Sequence, residues 1–187
     1  EEGSVNGDGY DNAAITENVN QAAFAVNQIL GEGIENVQVR IANDFAGKNF
    51  DCVMAIATPA AQAVAKLATK TSVVFSAVTN PVGAQLTSSL TKPDKNITGT
   101  SDEVQVDQII DKALEINPNT KTIGMLYNKG EANSVTNIKK AKAYCAKKNI
   151  KVEEATIASV NEAQSAVNVL NSKCDAIFAP NDNTVAS

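Results

Sequence analysis

Four short polar groups carry whatever chemistry this chain has. They are Thr58-Pro59-Ala60, Thr79-Asn80-Pro81, Asn128 with Glu131-Ala132-Asn133-Ser134, and Asn181-Asp182-Asn183-Thr184. Most of these side chains are neutral hydrogen-bonding groups. Such a set suits recognition of a small polar molecule better than bond breaking. An enzyme on the same residues would need Asp182 or Glu131 as general base, but the chain has no histidine. That removes the commonest base, the usual triads and most transition-metal sites. Arg40 is the only arginine, so a bidentate anion clamp has almost no candidate. Cys52, Cys145 and Cys174 have no zinc spacing. Cys52 and Cys174 read as small buried hydrophobes at the starts of strands. Residues 6–17 have the length of an EF-hand loop, but Asp11 stands where glycine is needed, so the match is a coincidence. No Walker loop or dinucleotide fingerprint occurs. No cofactor or metal is expected.

The elements that must position these groups follow from the periodicity. Residues 1–11 are polar and glycine-rich and read as a flexible segment without a signal peptide, as in a chain already matured. Ile15, Val19, Ala22, Ala23, Val26, Ile29 and Leu30 form one face of a helix stopped by Gly31 and Gly33. Residues 35–48 fit either a strand or a helix. Residues 52–57 are a continuous apolar run, expected to be a strand buried on both faces. Thr58 then reads as an N-cap with Pro59 in the first turn. A second buried strand ends at Thr79, and a short connecting strand covers 97–100. Helices are expected at 104–116, 131–148 and 160–170, with strands at 122–127, 150–156 and 176–179. Lys139, Lys140, Lys142, Lys147 and Lys148 share one helix, either as a solvated face or as a docking patch for an acidic partner.

Strands alternating with helices give an α/β chain with parallel sheets covered on both faces. All four polar groups then fall past the carboxyl ends of strands, the edge where open α/β sheets bind ligands. Helices starting at Thr58 or near Glu131 would aim free N–H groups at a ligand carboxylate. The core must be aliphatic, since aromatics are 4% and tryptophan is absent. No apolar run approaches the ~18 residues of a membrane helix. The net charge of −5 disfavours nucleic acid as a partner.

The ordered motifs 55–62, 75–84, 96–102, 126–134 and 175–185 resemble the substrate-binding proteins of bacterial ABC importers, of the tryptophan- and tyrosine-binding type. That resemblance implies a type I periplasmic-binding-protein fold: two Rossmann-like lobes joined by a hinge. It implies a first lobe over residues 12–97, a hinge crossing over 98–103 and a partial second lobe over 104–187. Thr58, Ala60, Thr79 and Asn80 would line the cleft from the first lobe. Asn128, Glu131, Asn133, Ser134, Asp182 and Asn183 would line it from the second. Thr58 and Ser134 would take a ligand carboxylate, and Asp182 or Glu131 an ammonium. Family members are extracytoplasmic lipoproteins or secreted proteins that hand an amino acid or similar molecule to an ABC permease. Asn80 and Lys129 stand where the family usually has Asp and Pro, and Asn181 where it usually has Thr. The chain resembles a shortened member, incomplete at both ends. Self-association, or a truncated scaffold acting in sensing or assembly without transport, is the alternative expectation.

Overall fold

The computed structural model describes residues 34–186, with side chains from residue 38 onward. The expected segment 1–11, the helix through 15–30 and the loop at 6–17 lie outside the described residues. The ambiguous stretch resolves as a helix, α1 (Ile34–Ala46). There Ala42 and Phe45 pack into the first core, and the alternation of Val37, Val39 and Ile41 builds no strand.

Then follow β1 (Cys52–Ile56), α2 (Thr58–Val64), β2 (Ser72–Val78), β3 (Ile97–Ser101) and α3 (Val106–Ile116). After these come β4 (Thr122–Tyr127), α4 (Ala132–Lys147), β5 (Lys151–Thr156), α5 (Ala163–Asn171) and β6 (Ala176–Phe178). A 3-10 turn at Val160–Glu162 precedes α5, so the helix expected from residue 160 begins later. Among the described residues there are two parallel sheets of three strands each, ordered β1-β2-β3 and β5-β4-β6. The segment expected as a mere connector, β3, is a full member of the first sheet, with Val73 opposite Ile97 and Phe75 opposite Gly99.

Each sheet has its own aliphatic core. Val53, Ala55, Ala61, Val73, Phe75, Leu86 and Ile97 pack together in the first lobe. In the second, Ile123 and Met125 of β4 meet α3 and α4, while Leu126 meets Leu170 of α5. The central strand β4 is therefore buried on both faces. β1 is not. It is an edge strand whose residues alternate, with Val53 and Ala55 buried, and Met54 and Ile56 68% and 66% exposed. The apolar run at 52–57 thus overstates burial, because an edge strand has one neighbour only and its outer face is uncovered among the described residues. Cys52 is correspondingly exposed and Cys174 half-buried, so only Cys145 is a fully buried thiol. Burial pushes the Cys145 thiol above its ordinary pKa, which makes it a poor nucleophile at neutral pH.

The lysine-rich helix is α4. Lys140, Lys142 and Lys148 reach Glu103, Glu154 and Asp111 of the same chain at 2.6, 2.5 and 2.9 Å. Exposed pairs of this kind contribute little stability. They do occupy cations that an acidic partner would need.

Candidate functional site

The strand ends deliver the polar groups to one junction between the lobes. Ala57 follows β1 with φ 71°, and Ala77 lies near the end of β2 with φ 54°. Both values are unfavourable for residues with a side chain, and such strain is tolerated where surrounding structure enforces it. The kinks redirect the chain so that Thr58 and Thr79 turn inward, 2% and 5% exposed. Thr58 is not the N-cap expected from the sequence. Ala57 occupies that place, Thr58 is the first helical residue, and no side chain caps the helix. The hydroxyl of Thr58 is released from capping, and its Oγ1 is buried with no hydrogen-bond partner.

In the second lobe, α4 begins directly after the β4 loop and the 181–184 segment follows β6. Between them lies a dense network. Glu131 Oε1 accepts from the Thr184 amide and Oγ1, both at 2.8 Å. Glu131 Oε2 accepts from Asn133 Nδ2 at 3.2 Å and from the Asn183 amide and Nδ2 at 3.0 and 2.6 Å. Asp182 Oδ2 accepts from the Asn128 amide at 2.7 Å and from Ser134 Oγ at 2.6 Å. Asp182 Oδ1 accepts from the amides of Thr184 and Val185 at 3.0 and 2.9 Å. Asn128 closes the circuit by donating from Nδ2 to Thr184 Oγ1 at 2.8 Å. Burial pushes the Glu131 carboxyl up, but hydrogen bonds from Asn183, Thr184 and Asn133 outweigh it and hold the pKa below the ordinary glutamate value. Glu131 is therefore a buried carboxylate at neutral pH.

All six residues expected from the second lobe thus belong to one network. Thr79 joins it across the lobes, while Asn80 and Ala60 do not. Asn80 Oδ1 accepts from the Gly83 amide at 2.8 Å and so shapes its own turn. Ala60 lies half-buried in α2.

Four residues beyond the ten expected to line the cleft hold this network together, two of them, Asn181 and Thr184, from the polar groups singled out in the sequence. Asn181 donates from Nδ2 to Thr79 Oγ1 at 2.8 Å and to Asp102 Oδ1 at 3.3 Å. Its Oδ1 accepts from Asn137 Nδ2 at 2.7 Å. Asp102 also accepts from Thr79 Oγ1 at 3.2 Å. Thr184 is the fourth, through its bonds to Glu131 and Asn128. The signal for Asn137 was its place one helical turn after Asn133, on the same face of α4. The lysines around it drew attention to the opposite, solvated face.

Asn181 is thus a latch between the lobes, and α2 of the first lobe also packs against α4 of the second. Asn181→Ala removes the latch from an exposed position without opening a core. The bonds lost are worth about 0.5–1.5 kcal/mol each, so the population of separated lobes should rise roughly tenfold. Small-angle scattering should show a larger radius of gyration for Asn181→Ala. An unchanged profile would mean that the amide bridge does not hold the lobes.

A cavity of about 1300 Å³ opens beside this junction, between α1 and α2 on one side and the loops at 128–131 and 158–161 on the other. It reaches the network at Asn128, Glu131 and Thr184. Of the ten expected residues, only Asn128 and Glu131 line it. Among the described residues, no group of His, Cys, Asp and Glu is arranged to hold a metal ion.

The family described as ABC transporter substrate binding protein matches residues 9–187. The chain belongs to that family. A tyrosine-binding protein of Clostridioides difficile (strain R20291) is 35% identical over 147 residues, covering 79% of this chain and 43% of that protein. A crystal structure of the ABC domain from Streptococcus pneumonia in complex with L-Trp is similar at TM-score 0.79 and 40% identity. It matches 83% of this chain and 54% of that one. A conserved domain protein from Vibrio cholerae O1 biovar El Tor is similar at TM-score 0.79 and 45% identity, over 81% of this chain and 51% of that one. The chain therefore spans about half the length of the relatives it matches. The fold is the two-lobed α/β architecture of periplasmic binding proteins, and the family and its curated relative are binding proteins rather than enzymes. ABC substrate-binding proteins act outside the cytoplasm. Among the described residues, no helix is long and apolar enough to cross a membrane.

One contrast concerns the open and the ligand-bound relatives. The ligand-free, open structure of CD0873 from Clostridium difficile is 38% identical over 81% of this chain, yet its TM-score is only 0.52. Identity and coverage are close to those of the L-Trp complex, so sequence divergence does not account for the drop. This chain superimposes more closely on the L-Trp complex than on the open structure, and both the Asn181 bridge and the packing of α2 against α4 join its lobes.

Proposed function

We propose that this chain is the solute-binding part of an ABC importer, holding an amino-acid-like ligand reversibly between its lobes and delivering it to a permease. The observation that carries this reading is the structural likeness, at TM-score 0.79 and 40% identity, to a family member in complex with L-Trp. In this reading residues 98–103 are the hinge, with the first lobe before them and the second after. Thr58, Ala60, Thr79 and Asn80 form one wall of the site. Asn128, Asn133, Ser134 and Asn183 form the other, backed by Glu131 and Asp182. No bond needs to break, and the second-lobe carboxylates are already engaged as hydrogen-bond acceptors. Closure over the ligand is a hinge motion, with the ligand biasing the closed state. An aromatic amino acid is the ligand class, following the tyrosine-binding relative and the L-Trp complex.

Native mass spectrometry of gently purified protein tests this. A retained mass of an aromatic amino acid on a monomer is expected. A ligand-free dimer that takes up no amino acid would instead favour the scaffold role.

Thr58 gives a sharper check. Its hydroxyl has no protein partner, so Thr58→Val should leave the melting temperature unchanged or raise it. In this reading Thr58 donates to the ligand carboxylate, and loss of a bond to a charged group costs about 1.5–3 kcal/mol. Affinity should then fall about tenfold or more, read by calorimetry. Unchanged affinity in Thr58→Val would remove Thr58 from the site.

A further inference from the structure

The two acidic residues at the junction have no capacity left for a ligand. A carboxylate offers about four lone-pair sites. Glu131 receives five internal hydrogen bonds and Asp182 four. The unspent acceptors lie elsewhere. Asn133 Oδ1 and Asn137 Oδ1 are buried and have no partner. Their residues are 2% and 0% exposed. Both sit on one face of α4, a turn apart, where Cβ atoms are about 5–6 Å from each other. Both Nδ2 groups are anchored on the same residue: Asn133 donates to the Asn181 carbonyl at 2.8 Å and Asn137 to Asn181 Oδ1 at 2.7 Å. The anchoring sets the orientation of each planar amide, so both Oδ1 atoms turn away from Asn181.

We propose that Asn133 Oδ1 and Asn137 Oδ1 together receive the primary ammonium group of the ligand, with Glu131 and Asp182 acting only as its electrostatic background. The inference rests on the amino-acid reading above and adds which atoms meet the amine. Two acceptors without a donor call for a group that donates more than once. A neutral hydroxyl donates once, whereas an ammonium donates three times. The surrounding charge selects in the same direction. Glu131 and Asp182 are buried and their recorded hydrogen-bond donors are all neutral groups, so the local field favours a cation. The amides also give specificity. An N-acylated or amine-free analogue leaves at least one buried oxygen unpaired, and such a loss discriminates strongly between ligands.

The test is a crossed comparison by calorimetry. The probes are L-Trp with indole-3-propionic acid, and L-Tyr with 3-(4-hydroxyphenyl)propionic acid, on the full chain and on Asn137→Ala. The wild-type chain should bind the amine-bearing member of a pair at least about tenfold more tightly. In Asn137→Ala that preference should shrink towards unity, with affinity for the amine-free acid nearly unchanged. A preference that persists in Asn137→Ala, or equal weakening of both members, overturns the assignment while leaving the amino-acid reading standing. Failure of the folded wild-type chain to bind either amino acid overturns that reading, and the assignment with it. Since Asn137 is buried, Asn137→Ala can fail to fold. Wild-type protein carrying ¹³C-labelled asparagine side chains supplies an independent measurement. The amino acid, and not its amine-free analogue, should shift two buried asparagine carbonyl resonances. Identical shifts with both ligands would overturn the proposal.

Discussion

Glu131→Ala should lower the melting temperature on the order of 10 °C. The basis is the number of donors that lose one acceptor. The Asn183 amide and Nδ2, the Thr184 amide and Oγ1, and Asn133 Nδ2 all converge on this carboxylate. Each buried polar group left unsatisfied costs about 1–3 kcal/mol. Two of the donors also reach a second acceptor, since Asn133 Nδ2 bonds the Asn181 carbonyl and the Thr184 amide bonds Asp182. The net loss is then about 3–5 kcal/mol, a large share of the stability of a typical domain. At this chain length each kcal/mol moves the midpoint by about 2–4 °C. Glu131→Gln keeps one acceptor oxygen but introduces an N–H₂ facing donors, so it should be nearly as damaging. The pH dependence has a defined sign. The folded-state pKa of Glu131 is below its ordinary value, so its contribution is complete above the ordinary glutamate range. It is lost as pH falls through the folded-state pKa. Glu131→Ala should therefore show a shallower loss of stability on acidification than the wild type. Thermal melts from pH 7 down to pH 3 measure both effects. An unchanged midpoint at pH 7 would show that the network is not a structural element.

The second large effect belongs to Gly99, in the middle of β3. A Cβ built there would lie 1.9 Å from the Phe75 carbonyl oxygen and 2.6 Å from the Phe75 ring. The oxygen is backbone in a paired strand, and Gly99 is the residue opposite Phe75. It can retreat only by separating β2 from β3. Glycine inside a strand often marks such a close approach. Gly99→Ala should therefore cost about 3 kcal/mol or more and weaken the pairing that carries Thr79 and Asp102 towards Asn181. Denaturant titration gives the stability. Scattering should also show the lobes less tightly held than in the wild type. A stability change within about 0.5 kcal/mol, the ordinary range for surface changes, would contradict the observed packing.

Much of this was legible in the chain itself, and the reasons are physical. The alternation of apolar runs with helical stripes identified parallel sheets. The β4 run at 122–127 is buried on both faces because strands flank it on both sides and helices cover it. The similar run at 52–57 is half exposed among the described residues, because apolar composition does not reveal whether a strand is central or at an edge. Thr58 followed by Pro59 looks like a capping signal. The backbone turn at Ala57 instead moved the helix start by one residue and freed the hydroxyl. Six second-lobe residues fall into one hydrogen-bond network because they cluster at two strand ends. Asn137 escaped because its chemistry depends on a helical face, and Asn181 stood out as part of a polar group while its contact with the other lobe did not. Long-range pairing of that kind, Asn181 with Thr79, leaves no local pattern to read.

The central claim is that this chain binds an amino acid between its lobes. Isothermal titration calorimetry of the monodisperse chain with L-Trp and L-Tyr tests it most directly, with nucleosides and small sugars as comparison ligands. The account predicts saturable binding of one aromatic amino acid per chain and no heat from the comparison ligands. Folded protein that gives no saturable heat with any amino acid would contradict it.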